Sequence, residues 1–376
     1  MFTDRLAEVP MNIGKVFLLS LLFLTACNDK KKEAAPVVEP VAVVTPKHLY
    51  VSTGACYSGT NTTFTAATSS NQSYRLSLTN AQKELSLADY YSLPANAGDS
   101  PVGLVDVDAT NIMIMVENTS GRRIEKLSKA NSPTRTIFSN NATALSAALK
   151  GIAKTPDGGY LVAKTSGIEK LTSQGVRMGA PYIGSALGAT CGATNANINN
   201  VAVTPSGKII FTNAAASNNR WGIISANGYT VAADCLGAQT APDVNAYPVA
   251  VQYITSHNQI MVAYAGNSLS VNLNSIYVYD FDDTTNAISN ATKIYDSNTY
   301  VAAGYLLYGI SSMVYNPNDR TLFVATAISN ATTVVNYSIE KLTYNPDAKS
   351  LTRALATPFY SYGVDTKCIS SLMIAE

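Results

Sequence analysis

Short apolar runs broken by polar turns recur along this chain in a fixed order. Five stretches share the plan: "GLVDVDATNIMIMVENTSGRRIEKL", "GIAKTPDGGYLVAKTSGIEKL", "NVAVTPSGKIIFTNAAASNNRWGII", "AVQYITSHNQIMVAYAGNSLSVNLNSIYVYDF" and "GISSMVYNPNDRTLFVATAISNATTVVNYSIEKL". Each has an apolar, β-rich run, a turn, a second such run, a polar connection and a third run, which reads as a succession of strands. The turns "TPDGG", "TPSGK" and "NPNDR" carry the Pro, Asp, Asn and Gly that tight reversals require. The third runs recur almost word for word as "IEKL" at Ile124, Ile168 and Ile339. Counted from Gly103, Gly151, Val201, Val251 and Ile310, the spacing is about 48 to 59 residues. Several short strands per unit at that period predict an all-β fold of propeller blades.

The chain ends complete the pattern. The C-terminal "CISSLMIAE" matches "GISSMVYNP" and stops after one strand, while "HLYVST" at His48–Thr53 and "SYRLSLT" at Ser73–Thr79 lack a first partner. A ring closes if Ile369–Ile374 lies antiparallel to Leu49–Thr53, which removes two exposed sheet edges. The expectation is a six-bladed β-propeller whose N- and C-terminal strands share one blade, with seven blades as the alternative if the long fourth repeat hides another. A pair of β-sandwiches or a β-helix leaves the single terminal strand unexplained.

The first 47 residues follow another logic. Lys15 precedes "VFLLSLLFLTA" at Val16–Ala26, an apolar segment short for a membrane span and laid out as a secretory signal. Leu24-Thr25-Ala26-Cys27 resembles the bacterial lipobox, and that resemblance implies acylation of Cys27, cleavage just before it and no Asp-type retention at Asn28. Residues 1–27 are therefore expected to be a lipoprotein signal peptide, with Met11 an alternative start. Residues 28–47, with three lysines and Pro36, Pro40 and Pro46, form an extended tether, and 48–376 the propeller. The expected location is the bacterial envelope, lipid-anchored at the outer membrane.

Composition narrows the partners. Charged residues make up 14% of the chain and the net charge is +1, so nothing points to nucleic acid. With Cys27 lipidated, four cysteines remain in an oxidising compartment. Antiparallel pairing in the shared blade sets Cys368 beside Cys56, and a bond there would lock the ring at its seam. Cys191 and Cys235, both beside the third repeat, are paired as the remainder. Free thiols, or metal at Cys191 and Cys235, are the alternatives; the chain has no CxxC pair and only His48 and His257 to assist a metal.

"GIAKTPDGGYLVAKTSGIEKL" resembles a blade of the NHL and gluconolactonase/regucalcin-like propellers, and "IYVYDFDDTTNAISNATKIYDSN" resembles the long outer hairpin of lactonase-type propellers. That resemblance implies a divalent cation at the channel mouth, held by a Glu, an Asn and an Asp. Here Lys150 stands where the Asn should precede Gly151, Ala163-Lys164 occupies the region of the Asp, and in the next repeat Asn200 fits while Asn213 replaces the acid. A hard cation wants carboxylate oxygens, so no metal and no cofactor are expected. Asp280, Asp282 and Asp283 read as acids of a hairpin turn, and His257 in "ITSHNQI" as a turn residue rather than part of a Ser-His-Asp set. No catalytic residues are assigned.

Tyrosines gather just upstream of the innermost strands: Tyr90, Tyr91, Tyr182, Tyr247, Tyr305, Tyr308, Tyr360 and Tyr362. A tyrosine-rich rim offers flat apolar area with a hydroxyl at low entropic cost, suited to a protein or glycan partner. The expected function is a membrane-tethered, non-catalytic binding propeller; the alternative is a metal-dependent hydrolase or lactonase with an atypical site.

Overall fold

The computed structural model describes residues 48–54, 72–78, 91–92, 99–118, 121–140, 145–179, 191–193, 197–215, 218–225, 234–266, 274–296, 306–329, 334–353, 358–361 and 368–375. The chain divides into two units, Met1–Val43 and Val44–Glu376, and every described residue belongs to the second. Its strands form six small antiparallel sheets in a ring, a six-bladed β-propeller. From the axis outward, blade I comprises Ser100–Asp108, Asn111–Glu117, Arg123–Ser128 and Arg135–Ser139. Blade II has Leu149–Lys154, Tyr160–Lys164 and Gly167–Leu171. Blade III has Ile198–Val203, Ile209–Asn213, Arg220–Ile224 and Cys235–Thr240. Blade IV has Tyr247–Ile254, Gln259–Ala265, Ser275–Phe281 and Ile288–Asp296. Blade V has Leu306–Asn316, Thr321–Ser329 and Val334–Asn345, with an outer edge in two pieces, Ser350–Arg353 and Tyr360–Ser361.

Blade VI is built from both chain ends, as the repeats predict: Cys368–Ala375 is innermost, followed by His48–Gly54, Gln72–Ser77 and Tyr91–Ser92. The register pairs Leu49 with Ile374 and Thr53 with Ile369.

Each blade is buried on both faces, which explains why the second strands read as continuous apolar runs rather than alternating ones. In "NIMIMVE", Ile112, Ile114 and Val116 pack toward blade VI while Met113 and Met115 pack toward blade II. The same division recurs in blade III, where Phe211 faces blade II and Ile210 faces blade IV. The core is thus a set of six inter-blade layers around an axis.

Two sequence repeats acquire physical causes. In "TPDGG" and "TPSGK", Gly158 and Gly207 take φ of 80° and 86° and donate their N–H to the Thr155 and Thr204 carbonyls at 2.9 Å, closing the turn that follows the innermost strand. In "IEKL", the glutamates Glu125, Glu169 and Glu340 are buried, and each accepts an ion pair from an arginine on the next strand or just beyond: Arg135 at 2.8 Å, Arg177 at 2.5 Å and Arg353 at 2.9 Å. The lysines of the first two copies reach back to acids of the tight turns, Lys126 to Asp108 at 4.0 Å and Lys170 to Asp157 at 2.7 Å.

Candidate functional site

Every innermost strand carries a β-bulge near its beginning. The extra residue is Val102 in blade I, Lys150 in II, Asn199 in III, Val249 in IV, Gly309 in V and Ser370 in VI. A bulge leaves one residue out of the ladder and re-aims its side chain. Repeated around the axis, the bulges place a ring of re-aimed residues at one end of the channel, here called the upper mouth. Neighbouring blades are stitched at this level. Glu117 of blade I accepts the Leu149 N–H of blade II at 2.7 Å. The Asn199 amide donates to the Pro248 carbonyl of blade IV at 3.3 Å. Ser370 donates to the Pro101 carbonyl at 2.5 Å, joining blades VI and I.

Lys150 is the charged member of the ring. Its Nζ donates to Asn197 Oδ1 at 2.7 Å and to Asn199 Oδ1 at 2.9 Å, both on the neighbouring blade. The amides cannot turn freely, because Asn197 Nδ2 donates to the Ala214 carbonyl at 2.6 Å and Asn199 Nδ2 is held by Pro248. Close approach of the two strands depends on Gly151, where a Cβ would lie 3.0 Å from the Asn199 carbonyl oxygen. Lys150 is only 4% exposed, and burial lowers its amine to about 7 although Glu117 favours the charge. Glu117 is raised by its own burial, against the Leu149 N–H and the Arg122 guanidinium, which reaches it at 2.8 Å. Beside it, Arg123 spans Asp99 at 2.6 Å and Glu125 at 2.5 Å.

The residues present do not fit the cation that the lactonase resemblance implies. The amide oxygens of Asn197 and Asn199 already face an amine. Asn213 is taken up in the loop, accepting the Asn197 N–H at 2.7 Å and donating to the Asn218 carbonyl at 3.0 Å. Among the described residues, no group of three His, Cys, Asp or Glu side chains converges on a point. The three aspartates of "YDFDDTTN" separate: Asp280 pairs with Lys349 at 2.7 Å, Asp282 accepts the Thr284 N–H at 2.8 Å, and Asp283 accepts from Ser206 at 2.7 Å. His257 ends a short 3-10 turn, with Asn258 left-handed behind it.

Of the rim tyrosines, Tyr247 and Tyr308 lie near the beginnings of adjacent innermost strands, in blades IV and V. Tyr91 lies on the outermost strand of blade VI, opposite Ser73, and Tyr360 on the outer edge of blade V, opposite Ile339, half-buried against its core. Tyr90, Tyr182, Tyr305 and Tyr362 lie outside the described residues, as do Cys27 and Cys56. Cys368 stands opposite Gly54, two positions before Cys56. Cys191 and Cys235 form a disulfide, which ties the approach to blade III onto that blade's outer strand. Sequence reasoning passed over Asn197 and Asn199; the signal for them was the asparagine-rich "NANINN" at the start of blade III, aligned with the Lys150 position of blade II.

These features define a six-bladed propeller with a polar, bulge-lined channel mouth. No family model and no curated protein matches the chain. Solved structures do. A Bacteroides caccae protein of unknown function is 12% identical, with a TM-score of 0.53 over 88% of this chain and 100% of that one. The Pseudomonas aeruginosa periplasmic gluconolactonase is 10% identical, with a TM-score of 0.51 over 87% of this chain and 99% of that one. A putative 6-phosphogluconolactonase of Bacteroides fragilis is 12% identical, with a TM-score of 0.50 over 90% and 100%. At these identities the likeness is one of fold.

Proposed function

We propose that this chain is a lipid-anchored envelope propeller that binds a protein or glycan partner at its upper mouth, without metal-dependent catalysis. The observation that carries the reading is Lys150, an amine seated between two amide oxygens where a lactonase-type site calls for a divalent cation.

The anchor is tested with Cys27→Ala. Metabolic palmitate labelling is expected to vanish and the protein to move from the membrane to the soluble fraction. Unchanged labelling would overturn the assignment. The binding mouth is tested by affinity capture from solubilised envelopes. The double variant Tyr308→Ala/Tyr362→Ala is expected to lose the captured partner while its melting temperature stays nearly unchanged. One tightly bound calcium or zinc ion per purified chain would instead favour the hydrolase.

A further inference from the structure

We propose that the lower mouth of the channel, at the end away from Lys150, binds a small carboxylic acid with an apolar body. The inference goes beyond the binding reading above, since the two mouths lie at opposite ends of the innermost strands. A cavity of about 420 Å³ opens where the innermost strands of blades II, III and IV end and turn, a size within the range of small-molecule sites. Its apolar walls are Val203 and the rings of Pro156 and Pro205, from the Thr-Pro turns of blades II and III. Blade IV closes the third side with Thr255.

The walls are held before any ligand arrives. In blade II the Thr155 hydroxyl donates to Asp157 and accepts from Lys170 Nζ at 2.5 Å, and the same amine meets Asp157 at 2.7 Å. In blade III the Thr204 hydroxyl bonds Ser206 at 2.9 Å, while Asp283 takes Ser206 at 2.7 Å and Lys208 at 3.1 Å. The turns thus satisfy their own polar groups, each aspartate matched by a lysine, and a fixed wall loses little entropy on binding. Lys154 differs. Its ammonium donates to the Val107 carbonyl of blade I at 2.7 Å, and among the described residues no carboxylate pairs with it. The acids flanking Val107 are engaged elsewhere, Asp106 with Lys129 at 2.9 Å and Asp108 with Lys126 at 4.0 Å. Lys154 is exposed and keeps two further N–H donors, and the exposed Thr255 hydroxyl has no partner among the described residues. Apolar rings, one unmatched positive charge and a hydroxyl around one cavity suit a carboxylate carried on an apolar body.

The test is equilibrium binding to the intact protein, read by fluorine NMR with para-fluorobenzoate and its neutral amide, which has the same ring without the charge. The acid is expected to bind about five-fold more tightly than the amide at low ionic strength, the range of an exposed ion pair, and to lose that advantage as salt is added. Lys154→Gln, folded by circular dichroism, is expected to abolish the preference and leave the affinity for the amide unchanged. Thr255→Glu, which sets an acid on the opposite wall, is expected to weaken the acid alone and gives a second readout should the first variant fail to fold. Lys293→Gln removes the same charge from the outer edge of blade IV and is expected to keep the preference. Equal affinity for acid and amide in the wild type, binding of neither, or a preference that survives Lys154→Gln overturns the site. Tyrosine-dependent capture at the upper mouth reads the other end of the channel, so either reading can fall while the other stands.

Discussion

Glu169→Ala is expected to destabilise the propeller by about 3–5 kcal/mol, the range for removing one member of a buried ion pair. Glu169 is fully buried. Its two carboxylate oxygens take Lys164 Nζ at 2.7 Å and Arg177 Nε at 2.5 Å, and Lys164 is itself 2% exposed. Alanine leaves two cations around a vacated space with the counter-charge gone. The cost is desolvation, not the lost attraction alone, and a second variant separates the two. Replacing the buried pair together, as Lys164→Met/Glu169→Leu, is expected to lie much nearer wild type, because both charges leave the interior. Urea denaturation midpoints of the two variants check this. A single variant as stable as the double would mean that water reaches Lys164 and that the pair is not a buried one.

The same glutamate shows what the sequence could and could not convey. "IEKL" was legible as a repeat because three copies stand at one place in the blade plan, and blade number and ring closure followed from such repeats. A local phrase repeats when local surroundings repeat. Why the glutamate is there lay elsewhere, on an arginine of the following strand or just beyond the blade's last one, at a separation that differs between blades: Arg135 follows Glu125 by ten residues, Arg177 follows Glu169 by eight, and Arg353 follows Glu340 by thirteen. The mouth was less legible still. Lys150 stood out as a misfit against the lactonase pattern, but its partners Asn197 and Asn199 lie about 50 residues away and are brought to it by two bulges. A bulge shifts side-chain direction by one residue without altering the apolar pattern around it. Alternation along a strand cannot reveal it, whereas alignment of "LKG" with "INN" across blades marks the position once the blades are known. The acidic run at Asp280–Asp283 was legible as a turn, and its three carboxylates go to three separate partners.

Lys150→Met is expected to trade places with wild type as pH changes. Burial pushes the folded-state amine from about 10.5 down to about 7, overriding Glu117. Below pH 7 the lysine is protonated in both states, and the folded protein bears the whole cost of the desolvated ammonium. Between the two values the unfolded chain holds a proton that the folded chain has released, so stability rises with pH. Above the unfolded value the effect is complete, having amounted to about 5 kcal/mol at 1.36 kcal/mol per unit. Methionine lacks the charge at all pH values, but leaves the Asn197 and Asn199 oxygens without this donor, a penalty of about 1–3 kcal/mol that does not titrate. The stability of wild type relative to the variant should therefore climb by roughly 3 kcal/mol between about pH 6 and 9, with wild type the weaker at the acid end. Paired urea titrations isolate the lysine, since every other titrating group is common to both proteins. Two parallel pH curves would show that the amine keeps its ordinary affinity for protons and that the mouth is wetter than the packing of Lys150 against blade III indicates.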